Sequence, residues 1–294
     1  MWELGRMTMD TGTVLADAPR APAFIVTIYG DVVEPRGGML WMGTLIDCCA
    51  AHGLSESLVR TAMSRLVAAG RLEGVRVGRK SYYRLSEAAR DEFHAAAKLL
   101  FRPTPATKGW LICLSETSFD QELADGWVRF SPTVALAPDR PDVTRMDGVL
   151  MAARHLGGYG DLRALAWDKW GLEAVAAAYD RFQDRHGWLM SRLAGETPFP
   201  SKDALDLRLR LVHDYRLAAL NDPRLPEDAC PPDWPADRAR QLFVRAYVGL
   251  SAPADRYVGE VFLSNDGALP TQSAGSERRL IQLNQEIAAW AENG

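Results

Sequence analysis

Five side chains between positions 57 and 65 have types and spacing suited to reading a nucleic-acid groove: Ser57, Arg60, Thr61, Ser64 and Arg65. At about 100° per residue on a helix, the three hydroxyls share one face and the two arginines flank it. Small hydroxyl side chains let a helix backbone approach base edges closely. Arginines beside them reach guanine edges or phosphates. A second set follows in Leu72–Leu85, where Arg76, Arg79, Lys80 and Tyr82 crowd a short stretch. Such groups hold a phosphate backbone, which supplies affinity rather than sequence choice.

The elements around these residues must place both sets on one surface. Met42–His52 reads as an apolar helix with Leu45, Ile46 and Cys49 on one side. Gly53 permits a turn with positive φ. Ser55 is a good N-cap for a second helix running to about Ala69, and Gly70 ends it. Val59, Ala62, Met63 and Leu66 fall on the opposite stripe and should pack inward. Beyond it, Val75 and Val77 alternate with Arg76, Gly78 to Lys80 turns the chain, and Ser81–Leu85 returns. This predicts a β-hairpin with a basic tip. Tyr82 and Tyr83 should point to opposite faces, one into the core and one outward. A charged face alone is usually just a solvated surface. Helix, turn, helix and basic wing in this order specify a winged helix-turn-helix.

Charge distribution agrees. Between Ser57 and Ser86, seven cations stand against the single acid Glu73, a local +6. With a total of −4, the rest of the chain carries −10. A basic stripe on an acidic body suits a dedicated DNA-binding module and not a general nucleic-acid coat. Hydrophobic content of 47% allows a sizeable core in 294 residues. The N-terminal stretch lacks the basic start and apolar run of a signal peptide. No apolar stretch reaches the roughly 18 residues of a membrane span. Cys48, Cys49, Cys113 and Cys230 form no Cys-x-x-Cys pair and read as reduced core thiols of a cytoplasmic protein.

Four segments are expected. Residues 1–21 read as a flexible arm and 22–100 as the winged helix-turn-helix. Residues 101–168 form a small α/β unit, and 169–294 a helical domain. Pro103 and Pro105 mark the first linker. Trp110–Leu114, Val134–Ala137 and Leu162–Trp167 look like strands. Val175, Tyr179, Phe182 and His186 keep helical spacing. So do Leu280, Leu283, Ile287 and Trp290, with Ser276 as a candidate cap.

Catalytic and metal chemistry find little support. The five histidines show no metal-ligand spacing, and there is no Walker loop and no nucleophile elbow. No cofactor is expected. The enzyme alternative is a metal-dependent nuclease, resting on Glu116 and Asp120 after the Trp110–Leu114 strand, with the winged helix serving as a protein-interaction module.

Several stretches together resemble the PaaX family of phenylacetate-pathway repressors. They are Ile25–Val33 (IVTIYGDVV), Pro35–Gly38, Trp41, Val59–Ala62, Arg65-Leu66 and Gly78–Leu85 (GRKSYYRL). Gly126–Pro132, Asp222–Pro226 and Asp233–Pro235 with Ala239 and Leu242 extend the likeness more weakly. The resemblance implies an N-terminal winged helix, a ferredoxin-like (Cas2-like) middle domain and a helical C-terminal domain, so an α+β multidomain protein. It further implies a homodimeric repressor that binds a duplex DNA operator and is released by an aryl-acyl-CoA, typically phenylacetyl-CoA. For such an effector, Trp110, Trp127 and Trp167 are candidates to stack on an aryl group, and Arg129 to hold CoA phosphates.

Overall fold

The computed structural model describes residues 14–15, 17–103, 107–119, 122–158, 160–195 and 197–292. Two units emerge. The first comprises residues up to Arg102, Arg181–Leu220 and Arg238–Gly294; the second comprises Pro103–Asp180 and Asn221–Asp237. The expected partition therefore needs correction. Most C-terminal helices belong with the N-terminal segment, while residues 169–180 and 221–237 join the middle one. The arm reading also changes where it is described, with residues 1–13 and 16 lying outside the described set. Val14 is buried, and the Asp17 carbonyl accepts from Arg210 Nη1 at 2.7 Å.

The first unit starts with helix α1 (Ala21–Ile28), which continues through a wide turn at Tyr29–Val33 and a tight one at Glu34–Arg36. Phe24, Ile25, Ile28, Tyr29, Val32 and Val33 are all buried. A helix apolar on most sides belongs inside a core. Gly37 and Gly38, both at positive φ, turn the chain into β1 (Met39–Trp41). Helices α2 (Met42–Ala50) and α3 (Glu56–Ala68) follow, then strands β2 (Leu72–Val77) and β3 (Lys80–Leu85) and helix α4 (Glu87–Phe101). The three strands form an antiparallel sheet in the order β1-β3-β2. Its register pairs Trp41 and Val75 with Tyr82, and Glu73 with Arg84. The Ser86 hydroxyl caps α4 by accepting from the Ala89 N–H at 3.2 Å.

The second unit contains β4 (Trp110–Leu114), β5 (Val128–Ser131), β6 (Val134–Pro138) and β7 (Val149–Ala153), then α5 (Leu162–Lys169) and the start of α6 (Leu172–His186). The strands pair antiparallel in the order β5-β6-β4-β7. Each of the two crossovers, β4 to β5 and β6 to β7, passes over one strand, as in split βαβ units. Neither crossover carries a helix among the described residues. The ferredoxin-like expectation is corrected to that extent. Leu162–Trp167, expected as a strand, is helical. Asp161 decides this, because its Oδ1 accepts from the N–H groups of Arg163 and Ala164 at 2.9 and 3.2 Å. That is a side-chain N-cap, which satisfies donors a strand would not present.

The first unit resumes with the end of α6, then α7 (Trp188–Leu193), α8 (Ser201–Ala219), α9 (Ala236–Val261, mostly in this unit), the short pair β8 (Leu263–Ser264) and β9 (Gly267–Ala268), and α10 (Ala274–Glu292). Helix α8 is buried along nearly its whole length, charged residues included. It holds because those charges are paired. Arg208 donates to Asp31 Oδ2 at 3.0 Å and to Asp255 Oδ1 at 2.6 Å. Arg36 joins Asp255 at 2.7 Å, and Arg279 and the Tyr247 hydroxyl reach Asp31 Oδ1 at 3.0 and 2.8 Å. Helix α10 starts two residues before the expected Ser276 cap. Ser273 caps it instead, exchanging hydrogen bonds with Ser276 in both directions, a reciprocal capping pair.

Candidate nucleic-acid interface

Local sequence sets the geometry of α2, α3 and the β2–β3 hairpin. Gly53 takes φ 76° between the two helices. Ser55 Oγ accepts from the Leu58 N–H at 3.4 Å and starts α3. Val59, Ala62 and Met63 are buried and Leu66 is half-buried, so the inward stripe packs as its spacing requires. Ser57, Arg60, Thr61, Ser64 and Arg65 are all exposed on the other side. The hairpin closes with a two-residue turn. Gly78 occupies the first central position at φ 60°, where glycine avoids the penalty other residues would meet.

These two elements share one concave surface. A groove of about 690 Å³ runs between α3 and the hairpin, lined by Arg60, Ser64, Arg76, Ser81 and Tyr83 among others. Arg79 stands at the hairpin tip, and Ser57, Thr61 and Arg65 extend the exposed face of α3. Thr61 is partly occupied at home, donating to the Ser57 carbonyl at 2.9 Å.

Tyr82 needs correction. It is buried, opposite Trp41 and Val75, while Tyr83 is half-exposed and lines the groove. Alternation says that the two tyrosines face apart; only tertiary packing says which one faces in. The outward phenol is therefore that of Tyr83. Its ring lies so close to Gly74 that a Cβ there would meet it at 3.0 Å.

Charge at this surface is less uniform than the sequence count of +6 suggests. Arg60 pairs with Glu56 at 2.7 Å, Arg84 with Glu73 at 3.0 Å, and Arg71 with Glu92. Glu56 and Glu92 flank the basic stretch and had escaped its count. Arg65, Arg76, Arg79 and Lys80 enter no ion pair among the described residues. Lys80 instead sits 4.6 Å from the centre of the Trp41 ring. That ring lies flat against Gly43, where a Cβ would come within 2.5 Å of it. Gly43, Trp41 and Lys80 thus form a stack beside the tip of the hairpin. Exposed pairs such as Arg60–Glu56 hold weakly, at about 0–1 kcal/mol, and exchange readily for a stronger anion.

The four effector candidates are not brought together. Trp110 is buried in a cluster with Ala166, Leu172 and Leu225, its ring 5.4 Å from that of Trp170. Trp127 belongs to a different cluster with Leu111 and Cys113, and its indole N–H donates to the Thr144 carbonyl at 2.8 Å. Trp110 and Leu111 are successive residues of β4, so the two tryptophans occupy opposite faces of the sheet. Both are core residues. Trp167 and Arg129 are exposed. Of the nuclease candidates, Glu116 lies just after β4 and Asp120 falls outside the described residues. Among the described residues, no three His, Cys, Asp or Glu side chains gather as a metal site would need. No helix is long and apolar enough to cross a membrane among those residues.

Comparison with known proteins adds four findings. Residues 20–89 match the family described as PaaX-like protein. Residues 170–260 match the family described as PaaX-like protein C-terminal domain. The chain is 31% identical over 291 residues to "Transcriptional repressor PaaX" of Escherichia coli (strain K12), covering 91% of this chain and 92% of that one. Among solved structures it resembles an uncharacterized protein from Mycobacterium tuberculosis, with a TM-score of 0.45 and 21% identity over 73% of this chain and 89% of the other.

Proposed function

The chain belongs to the PaaX family of transcriptional repressors, and from that membership we propose that it represses by gripping duplex DNA with a winged helix-turn-helix formed by α2, α3 and the β2–β3 hairpin. One observation carries the reading: the hydroxyl-lined, arginine-flanked face of α3 and the basic hairpin border the same open groove. Helix α3 enters the major groove, where Ser57, Thr61 and Ser64 keep the backbone close and Arg60 and Arg65 reach base edges or adjacent phosphates. Arg76, Arg79, Lys80 and the Tyr83 hydroxyl hold the phosphate backbone beside it. Arg60 exchanges Glu56 for its nucleic-acid partner on binding.

The protein acts as a homodimer on a partly palindromic operator. Two copies related by a two-fold axis would present their α3 helices to major grooves about 34–36 Å apart. An aryl-acyl-CoA such as phenylacetyl-CoA releases the complex by favouring a form in which this spacing is lost.

Fluorescence anisotropy with labelled duplexes from the region upstream of the gene tests the interface. Arg79→Ala should weaken binding to all duplexes alike and flatten the salt dependence by about 0.9 in log K against log salt. Arg60→Ala should cost about 1–3 kcal/mol on the operator and less on unrelated duplexes. Unchanged binding by both variants refutes the assignment.

A further inference from the structure

Inside the first unit, behind the surface just described, helices α1, α4 and α8 part around a chamber of about 410 Å³. That volume falls within the roughly 300–1,000 Å³ usual for small-molecule sites. Small side chains hold it open: Ala23 on α1, and Ala96 and Ala97 on α4. Phe93 supplies an aromatic wall, and the lining is mainly apolar.

Four charged residues line the space: Asp31, Arg71, Glu92 and Arg216. Three are already satisfied. Asp31 is held by Arg208 and Arg279 at 3.0 Å each, and Arg71 pairs with Glu92. Arg216 is different. Half-buried, it has no carboxylate within 4.0 Å among the described residues. Among the described residues its hydrogen bonds are long ones, from Nη1 to the Ala23 carbonyl at 3.4 Å and to Thr27 Oγ1 at 3.5 Å. Burial pulls its pKa below the ordinary arginine value, with no neighbouring acid to offset it. The uncompensated charge of the chamber is therefore positive. It suits a ligand whose apolar body ends in an accepting or anionic group.

One wall belongs to the DNA-reading elements. Leu66, the last residue of the inward stripe of α3, lines the chamber, as does Arg71 at the base of the hairpin. A separate small void of about 10 Å³ lies against Leu66 and Arg71 on one side and Leu72 and Leu85 of β2 and β3 on the other. A ligand entering between α1, α4 and α8 would press on both elements at once. Because packed cores respond to such insertion by shifting between discrete arrangements, this is a direct route from occupancy to α3.

We infer that this chamber is the effector site, taking the apolar acyl or aryl part of a hydrophobic carboxylic acid or its thioester, with the carbonyl end against Arg216. This rests on the reading of the protein as a ligand-released repressor. It also moves the effector away from the tryptophans of the second unit. The free acid and the thioester share the required chemistry, and the test separates them.

Isothermal titration of the full-length protein with phenylacetyl-CoA, phenylacetate and CoA alone is the experiment. The wild type should bind phenylacetyl-CoA or phenylacetate, and CoA alone at least 10-fold more weakly. Ala96→Phe, which fills the chamber, and Arg216→Met, which keeps the stem and removes the cation, should each weaken binding at least 10-fold. Circular dichroism of both should match wild type, and the DNA affinity of Arg216→Met without ligand should stay within two-fold of it. Wild-type ligand affinity in both folded variants overturns the inference, as does binding of CoA alone as tightly as the acyl form, or no binding of any probe at millimolar concentration. Should wild-type protein fail to bind DNA yet show these ligand effects, the repressor reading falls and the chamber stands.

Discussion

Arginine plays two opposite physical roles within the first unit. On α3 and the hairpin, Arg65, Arg76 and Arg79 stand in solvent without acidic partners among the described residues, and Arg60 has an exposed one, Glu56, one turn away. Around α8, Arg36 and Arg208 are almost wholly buried and bound at 2.6–3.0 Å to Asp31 and Asp255. The buried set is locked, since its desolvation is offset only while every partner stays in place. The exposed set is uncommitted and can meet phosphates at little cost. The same residue type thus fastens the fold in one place and awaits a ligand in the other, and local burial decides which.

The sharpest way to break this contrast is Arg208→Ala. It leaves Asp31 and Asp255 without their shared cation, although burial alone disfavours the charged guanidinium that the two carboxylates sustain. A loss of about 3–5 kcal/mol is expected from urea unfolding. A change below 1 kcal/mol would show that the ionic hub does not hold the helices together.

Acid should act on the buried region next. His213 lies against Phe24, and burial pushes its pKa down to about 4. Its folded value is thus below its unfolded value near 6.5, so the unfolded chain binds more protons between those limits. Stability should fall by about 3 kcal/mol as pH drops from 7 to 4 through this group alone. Buried His52 and His186 are shifted in the same direction. Unfolding midpoints at pH 7 and pH 4.5 check this, and His213→Gln should shrink the difference.

Much of the exposed region was legible in the sequence because its signals are local. The Ser55 cap, Gly53 and Gly78 act within a few residues of where they stand, and the α3 stripe follows from 3.6-residue periodicity. Tyr82 was misassigned because alternation gives opposite faces but not the inward one. The buried region was not legible. Its contacts join residues 177–248 apart, such as Asp31 with Arg208, Tyr247 and Arg279, and no short-range pattern encodes them. For the same reason the N-terminal segment could not be seen to share a unit with α8, α9 and α10, nor could the chamber between α1, α4 and α8. Leu162–Trp167 shows a further limit: six residues mixing apolar and polar types fit either period, and the Asp161 cap settles it.

The smallest expected effect sharpens the exposed side. Glu56→Gln releases Arg60 from its neighbour at 2.7 Å. Stability should change by less than about 0.5 kcal/mol, while duplex affinity rises slightly, as read by thermal unfolding and anisotropy. Weaker DNA binding would show that Glu56 orients Arg60 rather than competing for it.

The central claim is that α3 and the hairpin form one phosphate-facing surface, and the salt dependence of duplex binding measures it most directly. Replacing Arg65, Arg76, Arg79 and Lys80 together by alanine removes the four cations of this surface that lack an acidic partner among the described residues. The slope of log K against log salt should flatten by about 3–4, at close to 0.9 per phosphate contact. A slope equal to that of the wild-type protein would place the nucleic acid elsewhere on the molecule.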